Sequence, residues 1–306
     1  MKIAIMGAGG AGGCLGALLA KAGNDVSLIT RGEHLEAIRA NGLKLIRPDS
    51  EFIIKVDATD DPAEVGPVEL VLYTVKSFHN RSVITTIKAL MGEETSVITL
   101  QNGVESHELL GSVLGQNSIL PGANWASSHI QSPGVILEDV AARISFGELD
   151  DTESLRALDI RKVFRDAGIE TELSLDPLQI LWQKFIVQSS LSAITSASQT
   201  RPKELLKFPD ARNMFCDAME EALAVGLAKG INLPDNLPQE SLDYIDKLPD
   251  FQVSMHSDFE AGRSTELDAL SGAVIRLGKQ IGSKTPIHEL LYSVLLPHKD
   301  GRPTQD

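Results

Sequence analysis

The sequence predicts a two-domain protein: an α/β domain built on a largely parallel sheet over residues 1–174, then an all-helical domain over residues 175–306. Three observations carry this. Short apolar runs in the first half alternate with helical patterns, the rhythm of βαβ units. A glycine-rich turn joins the first of those runs to a helix. From Asp176 onward no convincing strand pattern appears, and apolar residues recur at intervals of three and four.

Lys2 to Met6 (KIAIM) reads as a buried strand, and Gly7-Ala8-Gly9-Gly10-Ala11-Gly12 follows at once in the pattern G-x-G-x-x-G. Cys14 to Ala22 has helical spacing and stops at Gly23, a residue suited to the C′ position. Val26 to Ile29 is a second strand, which completes a βαβ unit of about thirty residues, the dinucleotide-binding (Rossmann) unit. In it Gly7 permits the turn off the strand, Gly9 lets the backbone approach a pyrophosphate, and Gly12 lets the helix pack on the sheet. The anion would sit on the free N–H groups at the helix N-terminus. The letters alone are weak, because glycine-rich turns are common, and a turn in some other α/β protein fits them too. The place directly after a strand and directly before a helix is the context the motif requires.

The second strand ends at Thr30-Arg31. An acidic residue there suits the ribose hydroxyl of NAD, whereas arginine suits the 2′-phosphate of NADP. Asp25 lies at the wrong end of the strand, and Glu33 is two residues beyond Arg31, which is also readable as a solvated surface side chain. Glu33 to Ala40 predicts a helix ending at Asn41-Gly42. Leu43 to Ile46 and Phe52 to Val56 predict a strand pair, and Asp57 to Pro67 a loop. Glu69 to Val75 is the next buried strand, with Lys76 at its carboxyl end. Ser77 is a candidate cap for a helix from Phe78 to Leu90. Ser96 to Leu100 is a strand, with Gln101-Asn102-Gly103 after it. Ser118 to Leu120, Val135 to Leu137 and Arg143 to Phe146 predict strands of an antiparallel extension to the sheet. Thr152 to Ala167 predicts a helix ending at Gly168, and Ile169 to Leu173 the last strand. The helical half closes with a polar segment, His298 to Asp306, that reads as frayed.

Composition excludes several classes of function. A net charge of −14 argues against non-specific binding to nucleic acid or to an anionic membrane surface. No run approaches the roughly 20 apolar residues of a membrane span. The only two cysteines, Cys14 and Cys216, have no spacing that suggests a metal site or a disulfide framework. Cys14 reads as small core filler. The chain reads as a reduced, cytoplasmic protein.

Candidate chemistry falls in four places. Lys76 and Asn102 each follow the end of a predicted parallel strand, where ligands bind in open α/β sheets. A solvated lysine and a turn asparagine fit the same letters. Lys184, Gln188 and Ser192 share one face of a long helix, and apolar neighbours could desolvate Lys184 and ready it for proton transfer. A solvated polar face is the alternative. In Gly262-Arg263-Ser264-Thr265-Glu266-Leu267-Asp268, Gly262 can end one helix. Thr265 can cap the next, with Asp268 reaching back and Glu266 in its first turn.

Taken together, the GAGGAG loop, Lys76 in TVKSF, Asn102 in QNG, LWQK around Lys184 and SMHSDFEAGRSTELD late in the chain resemble the ketopantoate reductase (2-dehydropantoate 2-reductase) family over nearly the whole length. The resemblance implies a 6-phosphogluconate-dehydrogenase-like two-domain architecture and NADPH-dependent reduction of a 2-keto acid. Lys184 then matches the proton donor, Glu266 the acid that orients it and the substrate, and Asn102 a contact to substrate and nicotinamide. Lys76 matches a cofactor and active-site lysine, and Ser254 a group on the substrate carboxylate. The cofactor set is Gly7 to Gly12, Arg31, Lys76 and Asn102. Gln188 and Ser192 stand where the family's type has asparagines, and Pro202 near a third, so the identity of the keto acid stays open. So does a homodimer.

Overall fold

The computed structural model describes residues 1–303. Their internal contacts fall into two units, one of Met1–Gln101 with Ser106–Ile180, the other of Asn102–Glu105 with Leu181 onward.

The first unit begins with β1 (Lys2–Met6), α1 (Gly10–Lys21) and β2 (Asp25–Ile29), then α2 (Gly32–Asn41), β3 (Leu43–Ile46) and β4 (Glu51–Ile54). Next come β5 (Asp57–Thr59), α3 (Pro62–Val65), β6 (Leu70–Tyr73), α4 (Asn80–Val83), β7 (Ser96–Thr99) and α5 (Ser106–Leu114). It closes with β8 (Ile119–Asn124), β9 (Ser127–Ser132), β10 (Val135–Val140), β11 (Arg143–Phe146), α6 (Leu155–Asp166) and β12 (Glu170–Leu173). The main sheet has eight strands in the order β12-β11-β8-β7-β6-β1-β2-β5. Every pair is parallel except β8 with β11. The order of strands reverses at β1, and that switch point is where such sheets bind ligands beyond their carboxyl ends.

β1 is a continuous apolar run because both of its faces are covered. Ile3 and Ile5 pack in the cluster that holds α1, while Ala4 and Met6 pack in the cluster on the other side with Val71, Tyr73 and Leu110. Burying each isoleucine contributes about 1.5–3 kcal/mol.

A second sheet, ordered β4-β3-β10-β9, lies over α1. It corrects one expectation: of the three strands expected as an antiparallel extension, β10 leaves the main sheet to pair with β9, β8 joins it in parallel with β7, and only β11 pairs in antiparallel fashion. Leu43, Leu45 and Ile136 bury an apolar face of this small sheet against Cys14 and Leu15 of α1, a long-range packing choice that strand patterns do not announce. Cys14 is fully buried as core and donates to Glu138, which also accepts from Arg47.

Two local predictions fail for identifiable reasons. Asp57 to Pro67 is not loop: β5 pairs with β2 at the sheet edge, and Asp61 caps α3 by accepting from Ala63 N at 2.9 Å. Pro62 sits in the first turn, where its missing N–H costs nothing. The helix from Phe78 to Leu90 is broken into a 3-10 turn (Ser77–His79), α4 and a second 3-10 stretch (Thr86–Leu90). Asn80 is held by Tyr73 and Gln101, and the Ser82 and Thr86 hydroxyls donate to carbonyls three residues back, which competes with the α-helical ladder. α5 went unrecognised in the sequence, and α6 starts at a Ser154 cap rather than at Thr152.

The second unit is helical: α7 (Pro177–Ser198), α8 (Pro202–Leu205), α9 (Pro209–Ala228), α10 (Leu237–Ile245), α11 (Ser254–Glu260), α12 (Ser271–Ile281) and α13 (Pro286–Leu295). The division between the units falls inside α7, between Ile180 and Leu181. Trp182, Phe185, Phe215, Met219, Leu267 and Val274 lie in one core. His288 is buried there, bonded to Ser271 Oγ and to Ala218 O. No strand occurs among the described residues of this unit. His298 to Pro303 is not frayed: His298 stacks on Phe259, Thr265 N donates to Lys299 O, and Arg302 N donates to Gly262 O. Residues 304–306, the remainder of that expected frayed tail, lie outside the described residues.

Candidate active site

In the first unit the glycine loop has the conformation its letters require. Gly7 has φ of +101°, and a Cβ there would lie 2.7 Å from Val75. A Cβ on Gly12 would collide with the Gly7 carbonyl and the Thr74 hydroxyl, so the helix reaches the sheet only because this residue has no side chain. A Cβ on Gly9 would meet nothing, which leaves its backbone open to a ligand. Ala8 is buried and Ala11 half-buried. Helix α1 has Gly9 at its N-cap and no side-chain cap, so the N–H groups of its first turn are available to an external anion. Gly10 has a further role that the motif did not reveal: a Cβ there would strike Ser128 of β9.

Arg31 is exposed at the end of β2, and its Nη2 lies 3.0 Å from His79 Nε2. Burial lowers the His79 pKa, and the neighbouring guanidinium lowers it further, so the neutral ring accepts from Arg31. His79 was missed in the sequence, where its only signal is its place three residues after Lys76. Lys76 is half-buried and precedes that 3-10 turn. These residues fit a dinucleotide with a 2′-phosphate: amides for the pyrophosphate, a guanidinium for the extra phosphate.

Gln101 and Asn102, adjacent in sequence, are held by different units. Gln101 donates to Val75 O at 2.7 Å and exchanges bonds with the Asn80 amide. Asn102 belongs with the helical unit. Lys184 Nζ donates to Asn102 Oδ1 at 3.3 Å, and Asn102 Nδ2 donates to Glu266 Oε2 at 2.9 Å. A carboxamide carries its acceptor and its donors on separate atoms, so it can accept from an ammonium and donate to a carboxylate at once. Burial lowers the Lys184 ammonium to about 8, with the Glu266 carboxylate opposing that shift.

Glu266 does not stand in the first turn of a helix, which corrects the predicted capping box. It starts a turn in which its carbonyl accepts from Ala269 N and Leu270 N, and α12 begins only at Ser271. Asp268 is drawn away by Tyr292 Oη and Lys299 Nζ, and the Thr265 hydroxyl donates to Lys299 O. Glu266 is only 4% exposed. Its burial, not a helix dipole, gives the site its character.

The other predicted site residues stand apart from this series. Gln188 is half-buried one turn along α7, and Ser254 is exposed as the first residue of α11. Neither joins the Lys184–Asn102–Glu266 bonds among the described residues. Ser192 is fully buried, and its hydroxyl has no partner among them. Pro202 is buried at the start of α8.

A glycine-loop sheet unit and a helical unit carrying lysine, carboxamide and carboxylate in series define the class of two-domain dinucleotide-dependent oxidoreductases. Residues 3–151 match the family model for ketopantoate reductase PanE/ApbA, and residues 176–299 match the model for its C-terminal part. The 2-dehydropantoate 2-reductase of Mesorhizobium japonicum is 32% identical over 307 residues, covering 94% of each chain. The solved 2-dehydropantoate 2-reductase of Geobacter metallireducens superposes with a TM-score of 0.91 at 30% identity, covering 97% of this chain and 99% of that one. The PanE/ApbA family ketopantoate reductase of Ralstonia eutropha gives a TM-score of 0.90 at 30% identity, covering 98% of each. A D-mandelate dehydrogenase solved with NADH and anilino(oxo)acetate gives 0.90 at 23% identity, a likeness of fold over 98% of each chain. The chain belongs to the ketopantoate reductase family, oxidoreductases that act on CH–OH donors, and has the 6-phosphogluconate-dehydrogenase-like architecture.

Proposed function

We propose that this protein reduces a 2-keto acid with NADPH, and that the acid is 2-dehydropantoate (ketopantoate), which becomes pantoate as in pantothenate and coenzyme A biosynthesis. The observation that carries this reading is the Lys184–Asn102–Glu266 series. The dinucleotide, when bound, supplies a hydride to the keto carbon. The negative charge that develops on the keto oxygen then takes a proton from the Lys184 ammonium. An acid of pKa about 8 is suited to that transfer near neutral pH. Glu266 holds the ammonium charge in place through Asn102, whose amide it orients. Gly7 to Gly12 bind the pyrophosphate, Arg31 the 2′-phosphate, and Lys76 the cofactor near the end of β6. Ser254 and Gln188 contact the substrate. The same reading places the enzyme in the cytoplasm, with a homodimer as the assembly to test by light scattering.

A second substrate reading rests on the family resemblance. By that resemblance Gln188 and Ser192 stand where the type has asparagines and Pro202 near a third, so one amide is lengthened and the others are lost, which favours a related branched 2-keto acid. Oxidation of NADPH, followed at 340 nm across a panel of 2-keto acids that includes ketopantoate, decides between the two. No turnover with any of them would favour a dinucleotide sensor and defeat both.

A further inference from the structure

We propose that the Arg276–Glu105 ion pair is a positioning device that holds the tetrapeptide Asn102–Glu105 on the helical unit and so sets the carboxamide that bonds Lys184. It rests on the reading of Lys184 as proton donor. The tetrapeptide is flanked on both sides by residues of the other unit, Gln101 and Ser106, and Gln101 is bonded firmly there. Four residues with both ends tied elsewhere need their own anchors, and three are present. Val104 is 4% exposed within the helical core. Gly103 has φ of +96° and lies so close over the turn that begins at Glu266 that a Cβ would stand 2.9 Å from Ala269 O. Arg276, on α12, grips both carboxylate oxygens of Glu105, Nε on one at 3.3 Å and Nη2 on the other, while its Nη1 donates to Gly272 O. That bidentate fork fixes orientation as well as distance. The pair is 47% and 35% exposed, so it adds little to stability. Position, not stability, is what it can supply.

The test uses the full chain with Arg276→Gln, Glu105→Gln and the charge exchange Glu105→Arg with Arg276→Glu. Each single variant should lower kcat about tenfold, a misplacement effect, with NADPH affinity unchanged and the unfolding midpoint close to that of the wild type. The exchange should restore most of kcat. Hydrogen exchange at the Gly103–Glu105 amides should quicken in both single variants, a readout that needs no substrate. Wild-type kcat in the single variants, unchanged amide exchange there, or a loss of activity that only follows a loss of folded protein would each overturn the inference. A wild type that reduces no keto acid would instead remove the proposed function, and the amide exchange would still decide whether the pair holds the tetrapeptide.

Discussion

Lys184 Nζ donates to Asn102 Oδ1 at 3.3 Å across 82 residues of sequence, and the far end of the same amide is occupied by Glu266. The amide therefore cannot rotate without losing both bonds, and it bridges the ammonium and the carboxylate. If Lys184 is the proton donor, Lys184→Ala lowers kcat by roughly 10²–10⁴. NADPH affinity, measured by titration of the free enzyme, stays near the wild-type value. Wild-type kcat in this variant would remove Lys184 from the chemistry.

The pH dependence follows from the same residue. Lys184 must be protonated to donate, so kcat falls as pH rises through about 8. Glu266 holds that value up against burial. Glu266→Gln removes the opposing charge, so the fall in kcat moves to lower pH. A kcat profile that is flat from pH 7 to about 10 would contradict this assignment.

Cofactor choice is tested at Arg31. A charge-assisted bond to a phosphate is worth roughly 1.5–3 kcal/mol, so kcat/KM for NADPH exceeds that for NADH by about ten- to hundredfold. Arg31→Ala reduces the NADPH figure and leaves NADH nearly unchanged. Equal wild-type figures for the two cofactors would refute the reading.

Ser192 offers a separation of stability from binding. Its hydroxyl is buried without a partner among the described residues, so Ser192→Ala removes an uncompensated polar group and should be neutral or stabilising by up to about 2 kcal/mol in chemical denaturation. A raised KM in the same variant identifies the hydroxyl as a substrate contact, whereas an unchanged KM makes it interior only. Gln188→Asn shortens the neighbouring amide by one methylene and should raise kcat/KM for ketopantoate by about tenfold or more. No gain would show that the longer amide is tolerated.

His288 is expected to contribute to the loss of stability in acid. Burial lowers its pKa to about 4, against 6.5 for the free side chain, while its bond to Ala218 O opposes the shift. A carbonyl only accepts, so Nε2 carries the proton and Nδ1 accepts from Ser271. Between those two values the unfolded chain binds a proton that the folded chain does not. Stability is therefore full above about 6.5 and lost progressively toward 4, by roughly 3 kcal/mol. His288→Gln keeps a donor for Ala218 and should flatten that slope. An unchanged slope would place the acid sensitivity elsewhere.

The sequence by itself determined what is local. KIAIM is legible as a strand because a run buried on both faces must be apolar throughout, and GAGGAG as a dinucleotide turn because its glycines answer steric demands within one βαβ unit. The helical second half was legible from its periodicity. Tertiary structure decided what depends on distant partners. The second sheet over α1 formed because Leu43, Leu45 and Ile136 found apolar surface there. The predicted helix after Ser77 broke because Asn80 bonds Tyr73 and Gln101. The capping box at Thr265 lost Asp268 to Tyr292 and Lys299, partners 24 and 31 residues away that no spacing rule reaches. Most of all, nothing in the doublet Gln101-Asn102 says that the first amide serves the sheet and the second the helices. That assignment comes from which unit supplies a partner, and hydrogen bonds and burial between distant segments exist only once the chain has folded.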